Sequence, residues 1–233
     1  GVGTPWAQVE NLTLEYSGSM GMLGRNSRLA GCHLDVVNGL TLQSAQQSSI
    51  EHNSFAAVGA SRAMQLMNAS DVLIKNNTFV EYATGIEQSN ATGVLIENNI
   101  FETTTDLVGF SASQAIRFNL LDETGFVGSW QNHALTPVYA SAAADDYRLA
   151  PGSPGIAMGN PESDYSLEPP PNGFRINLGA LGGTAYATTV DDADNDHLPD
   201  SWEQAFGLNI SADSRLLDSD NDGFNNYQEY FAG

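Results

Sequence analysis

Apolar residues recur through residues 7–122 with a period near 22 and with no helical stripe. Val9, Leu29, Ile50, Ile74, Ile96 and Ile116 are spaced 20, 21, 24, 22 and 20 residues apart. Five residues beyond each lie Leu14, Leu34, Phe55, Phe79, Phe101 and Leu121. A third set holds Met22, Leu40, Met64, Ile86 and Val108. The segments "VLIKNNTF" (72–79) and "VLIENNIF" (94–101) show the unit most plainly. A unit this short cannot bury its own apolar face and must stack on its neighbours. The period therefore predicts an all-β solenoid of short strands, with about six coils.

Two polar columns run between the apolar ones. Asn11, Gly31, His52, Asn76, Asn98 and Phe118 share one register, and five of the six are residue types that tolerate a left-handed backbone. The next register holds Leu12, Cys32, Asn53, Asn77, Asn99 and Asn119. Stacked asparagines can hydrogen-bond from coil to coil and satisfy buried amides. With these turns and ladders the segment resembles the right-handed parallel β-helix of the pectate-lyase-like superfamily. The resemblance implies a fold, and by analogy glycans as partners. His52 and Cys32 sit at turn and ladder positions, so both read as structural. A further column, Glu10, Ala30, Glu51, Lys75, Glu97 and Arg117, faces outward and alternates in sign over its last four members. Lyases of this fold use Lys or Arg as a base, yet the alternation itself avoids like charges stacking about 4.8 Å apart. Lys75 and Arg117 are accordingly read as a charge ladder of exposed pairs.

Periodicity stops after Leu121. Residues 123–190 hold seven of the nine prolines. The stretch 146–184 is similar to segments that close bacterial β-helix proteins, so residues 123–190 are expected to cap the solenoid and shield its strand edges. Asp164, Glu168 and Asn172 are candidate ion ligands there, and capping turns account for them equally well.

Residues 191–233 form a third region with two aligned acidic loops, Asp192–Glu203 and Asp218–Glu229. Oxygen-bearing side chains occupy positions 1, 3, 5, 9 and 12 of both: Asp192, Asp194, Asp196, Asp200 and Glu203, then Asp218, Asp220, Asp222, Asn226 and Glu229. Position 7, Leu198 or Phe224, would supply a backbone carbonyl. This is the ligand spacing of an EF-hand-type loop, so two Ca²⁺ ions are expected. Gly223 suits the sharp turn at position 6, whereas His197 fits it less comfortably, which predicts a weaker first site. His197 itself is a turn residue, since calcium prefers oxygen. Short helices are expected at 201–206, stopped by Gly207, and at 225–231. The segments "DADNDHLPDSWEQAFGL" and "DSRLLDSDNDGFNNYQEYFAG" resemble bacterial thrombospondin type 3-like repeats and, more distantly, dockerins. Ser201-Trp202 does not match Tyr227-Gln228, so no cohesin partner is implied.

The net charge is −20, and half of it lies from Asp191 onward, where metal would neutralise it. Such a chain is a poor ligand for nucleic acid, and no apolar run suggests membrane insertion. The single cysteine excludes an internal disulfide. Millimolar calcium outside cells suits the loops, which points to a secreted or cell-surface bacterial protein. The start, Gly1-Val-Gly-Thr-Pro-Trp, reads as the interior of a longer chain with neighbouring domains. The signatures of polygalacturonases, alginate epimerases and pectate lyases are absent. The expected function is a calcium-binding β-helix module, structural or glycan-contacting and non-catalytic. The alternative is a fragment of a lyase or epimerase acting on an acidic polysaccharide.

Overall fold

The structure, a computed structural model, describes residues 8–16, 20–111, 114–123, 125–128 and 131–232. Residues 1–7, which prompted the reading of an internal start, lie outside the described residues.

The body is a parallel β-helix. Thirteen of the described strands join in one sheet system, and every pairing within it is parallel. The first apolar column is a line of directly paired residues, Val9–Leu29–Ile50–Ile74–Ile96–Ile116. Six rungs on one line bound about five turns. The second column pairs Leu14–Leu34–Phe55–Phe79–Phe101. Its three phenylalanine rings stack 4.9 and 4.8 Å apart, close to the spacing of the strands that carry them. Each such pair contributes about 0.5–1.5 kcal/mol beyond its burial.

The third column needs correction at both ends. Leu40 pairs with Met20, not Met22, and Ile86 pairs with Leu107, not Val108. Leu107 is buried and Val108 is exposed. A one-residue slip exchanges the faces of a strand, and only Leu107 points inward.

All six residues of the first polar column, Phe118 included, have φ between +49° and +65°. Beside them the asparagine ladder is continuous and fully buried. The Asn77 side chain accepts from the backbone and side-chain amides of Asn53, both at 3.0 Å. It donates to Asn99 Oδ1 and to the Ile50 and Lys75 carbonyls. Cys32 opens the ladder through its N–H to Asn53 Oδ1. The last rung is Asn132, only 13 residues after Asn119. That short loop hides the rung from a 22-residue period.

Residues 155–183 run up the flank of the β-helix and strap three coils together. The Asn76 side chain donates to the Asn177 carbonyl, Asn98 Oδ1 accepts from the Asn160 amide, and Thr78 Oγ1 accepts from the Ala180 amide. Asn76 and Asn98, needed for their left-handed turns, are therefore also buried under the strap. Within residues 123–190, this stretch makes its contacts along a corner of the solenoid, while Phe126 packs against the β-helix core.

The acidic region packs on the strap through two short helices, α1 (Asp200–Ala205) and α2 (Asn226–Ala232). Leu198, Val190 and Tyr230 share one core cluster with Ile156, Leu178, Leu120 and Ile100. The Tyr230 hydroxyl donates to the Ala157 and Gly173 carbonyls. The buried Arg175 guanidinium donates to the Gly159 carbonyl on one side and, at 2.7 Å, to the Tyr230 carbonyl on the other. Solenoid, strap and tail thus share packing.

Candidate metal centre

Both acidic loops fold by the same local chemistry. In the first, the Asp194 carboxylate accepts the Asp196 amide, Asp192 accepts His197, and Asp196 accepts Leu198. In the second, Asp220 accepts the Asp222 amide, Asp218 accepts Gly223, and Asp222 accepts Phe224. These are turns closed by aspartate side chains, which bond amides a few residues ahead. The backbone torsions also correspond. Asn195 and Asn221 have φ +60° and +65°, and His197 and Gly223 have +76° and +101°. Position 9 donates its amide to the carbonyl just before the loop in both, Asp200 to Asp191 and Asn226 to Leu217.

The ligand atoms of Asp192, Asp194 and Asp196 lie within 4.8 Å of one another, as do those of Asp218, Asp220 and Asp222. The position-12 glutamates face these clusters. Burial, reinforced by Asp196, Asp194 and Asp200, pushes the Glu203 carboxyl up to about 7. Desolvation, with Asp220, Asp222 and Asp218 beside it, raises Glu229 as well. At position 9, Asp200 Oδ1 accepts the Ala193 amide, and the Asn226 side-chain amide is turned to the Ser214 carbonyl.

The loops differ in what surrounds them. Leu198, Asp196 and Glu203 are buried, whereas Asp218, Asp220, Asp222 and Phe224 are exposed. Ser214 donates its amide to Asp196 Oδ2 and its hydroxyl to Glu203 Oε1. Asp192 Oδ1, Asp194 Oδ2 and Glu203 Oε2 are buried and have no hydrogen-bond partner. Three unpaired carboxylate oxygens from positions 1, 3 and 12 fit a hard, oxygen-seeking cation.

A second feature is the groove between the outward charge column and the strap, about 570 Å³ in volume. The column stacks as its spacing predicts, Glu51–Lys75–Glu97–Arg117. It is not a row of exposed pairs, however. Glu97 is only 1% exposed and takes Lys75 Nζ and Arg117 Nε, each at 2.6 Å, and the Asn160 side-chain amide. These partners hold its carboxyl below the usual range against the opposing effect of burial. The strap also lines the groove with Glu162 and Asp164.

A family model for the right-handed beta helix region matches residues 5–136, more than half of the chain. The chain belongs to the right-handed β-helix family. No curated protein and no solved structure matches it.

The β-helix places the other candidates in structural roles. Cys32 is buried, with its thiol against the Ala30 carbonyl. His52 lies in a corner turn with Nδ1 buried, and burial lowers its pKa. Asp164 and Asn172 each close a turn by accepting the Ser166 or Phe174 amide. Glu168 is buried and accepts the Asn177 and Gly183 amides. Among the described residues Asp164 and Glu168 belong to no cluster of three Asp, Glu, His or Cys ligand groups. Sequence reasoning missed Ser214, which ties the two repeats together, and Arg175. Neither occupies a ligand position of a loop, and each acts on a carboxylate or carbonyl distant in sequence.

Proposed function

We propose that this chain is a secreted or surface-exposed bacterial β-helix module whose tail is held by two calcium ions. It contacts glycans or neighbouring domains and does not itself cleave polysaccharide. The observation that carries the calcium reading is the set of three buried, unpartnered carboxylate oxygens in the first loop. Left alone, such groups cost several kcal/mol. A divalent cation at their centre removes that cost, so metal binding becomes folding free energy. Asp200 and the Leu198 carbonyl complete the first loop's set, and Asn226, the Phe224 carbonyl and Glu229 that of the second. Burial favours the first loop as the tighter site, the reverse of the ranking drawn from His197.

Calorimetric titration of the calcium-free protein tests this, with two calcium ions expected per chain. Absence of binding at millimolar calcium rejects the proposal.

The groove chemistry argues against the lyase alternative. Glu97 engages both cations that would have to neutralise a uronate, and three further acids, Glu51, Glu162 and Asp164, line the same groove. An acidic polysaccharide would meet net negative charge. Incubation with alginate, pectin and chondroitin should give no unsaturated uronate absorbance. Product that disappears in Lys75→Ala or Arg117→Ala would establish the lyase reading instead.

A further inference from the structure

Two ring-bearing residues of the strap and tail adopt left-handed backbones where glycine would cost nothing, Phe174 at φ +53° and His197 at φ +76°. Their rings meet edge to face at 4.6 Å, and Phe174 meets Tyr165 the same way at 6.2 Å. The three line a cleft of about 390 Å³ with Pro170, Pro171 and Asn195. That volume lies within the usual range for small-molecule sites. Gly173 next door has a packing reason to be glycine, since a β-carbon there would approach the Tyr230 hydroxyl to 2.9 Å. Phe174 beside it is only half-buried, so its ring keeps a face toward the cleft.

We propose that this cleft binds a neutral sugar ring, stacked on the aromatic walls and hydrogen-bonded at the amide rim; the assignment rests on the glycan-contacting reading above. The occupant's class follows from the lining. Rigid rings and prolines offer apolar faces, and Asn172 and Asn195 offer polar edges. Among the described residues no lysine or arginine lines the cleft to hold an anion. Its one carboxylate, Asp192, belongs to the first acidic loop, and calcium there would repel a cationic ligand. The other large grooves are unsuited to a neutral sugar. The flank groove is charged, and the one beside His33 is lined by four carboxylates, Glu15, Asp35, Glu81 and Asp145. A pyranose, with apolar faces and a hydroxyl rim, matches the remaining site.

The test uses the full chain at saturating calcium. The probes are four neutral hexasaccharides, β-1,4-linked glucose, xylose, mannose and N-acetylglucosamine, read by saturation-transfer NMR and calorimetry. At least one should bind. Phe174→Gly removes the ring and the left-handed strain together, so the protein should keep its fold and its calcium titration. It should bind that sugar about tenfold more weakly, as expected for the loss of one ring contact worth about 1.4 kcal/mol. Tyr165→Ala should weaken binding in the same direction. If none of the four sugars binds while calcium titrates normally, the cleft proposal falls and the calcium reading stands. Binding that survives both substitutions, or a proline-rich peptide bound where no sugar is, also overturns it. If the sugar binds with the expected dependence on Phe174 but calcium does not bind, the cleft stands and the calcium reading falls.

Discussion

The two acidic loops share a backbone and differ in surroundings. Each closes the same three aspartate turns and puts the same positions at positive φ. Yet position 7 is fully buried as Leu198 in the first and 58% exposed as Phe224 in the second. Position 12 is fully buried as Glu203, whereas the second cluster faces solvent. Loop shape follows from residues within twelve positions, and burial follows from what the strap happens to cover. Identical ligand spacing therefore does not imply equal dependence on metal.

Removing calcium should have the largest effect on both loops. With a chelator, hydrogen exchange is expected to rise throughout 191–232. It should also rise at the strap residues that α2 touches, near Ala157 and Gly173, because Tyr230 and Arg175 join the two. The ladder amides Asn53, Asn77 and Asn99 should stay protected. Faster exchange confined to the second loop would show that the first does not depend on metal.

Truncating position 7 sharpens the contrast without touching a metal ligand side chain. Leu198→Ala should destabilise the calcium-loaded protein by about 2–5 kcal/mol, because it opens a cavity in a packed cluster. Phe224→Ala should stay within about 0.5 kcal/mol. Denaturant unfolding of both variants checks this, and equal losses would mean the second loop is buried against something in solution.

The pH response is a smaller effect with a definite sign. Burial pushes Glu203 up to about 7 from its ordinary 4.5. Between those values the folded, calcium-free tail holds a proton that the unfolded chain has released, so its stability should fall as pH rises through 4.5 to 7. With calcium the slope should reverse, because protons compete with the metal below pH 7. Glu168, also pushed up to about 7 by burial, adds the same downward slope in both conditions. The difference between melting curves with and without calcium therefore isolates the loops, and Glu203→Gln should remove most of it.

The smallest effect belongs to position 6. His197→Gly should relieve the left-handed backbone by about 1 kcal/mol and lose the ring contact with Phe174, a nearly cancelling exchange. Calcium affinity at the first loop should change less than threefold, about 0.6 kcal/mol. A large gain would restore the view that His197 limits that site.

Much of the fold was legible because a solenoid is nearly one-dimensional. Each coil's partner is the next copy of the same pattern, so the line Ile50–Ile74–Ile96–Ile116 and the ladder from Asn53 to Asn119 could be aligned by spacing alone. Where spacing breaks, so does legibility: the rung at Asn132 follows a short loop, and Met20 and Leu107 sit beside the residues a fixed period selects. The acidic loops were legible for a related reason, since twelve consecutive residues supply every turn.

By itself the sequence determined the parallel coils, the left-handed corners and the shape of both acidic loops, because all of these arise from contacts that are local or repeat at a near-constant interval. Only the tertiary structure decided that residues 155–183 strap the flank, that Glu97 is a buried acid between two cations, and that the first loop is enclosed while the second is exposed. The strap and the burial of Glu97 beneath it rest on contacts between residues far apart in sequence, such as Asn76 with Asn177 or Glu97 with Asn160, and no periodicity encodes them.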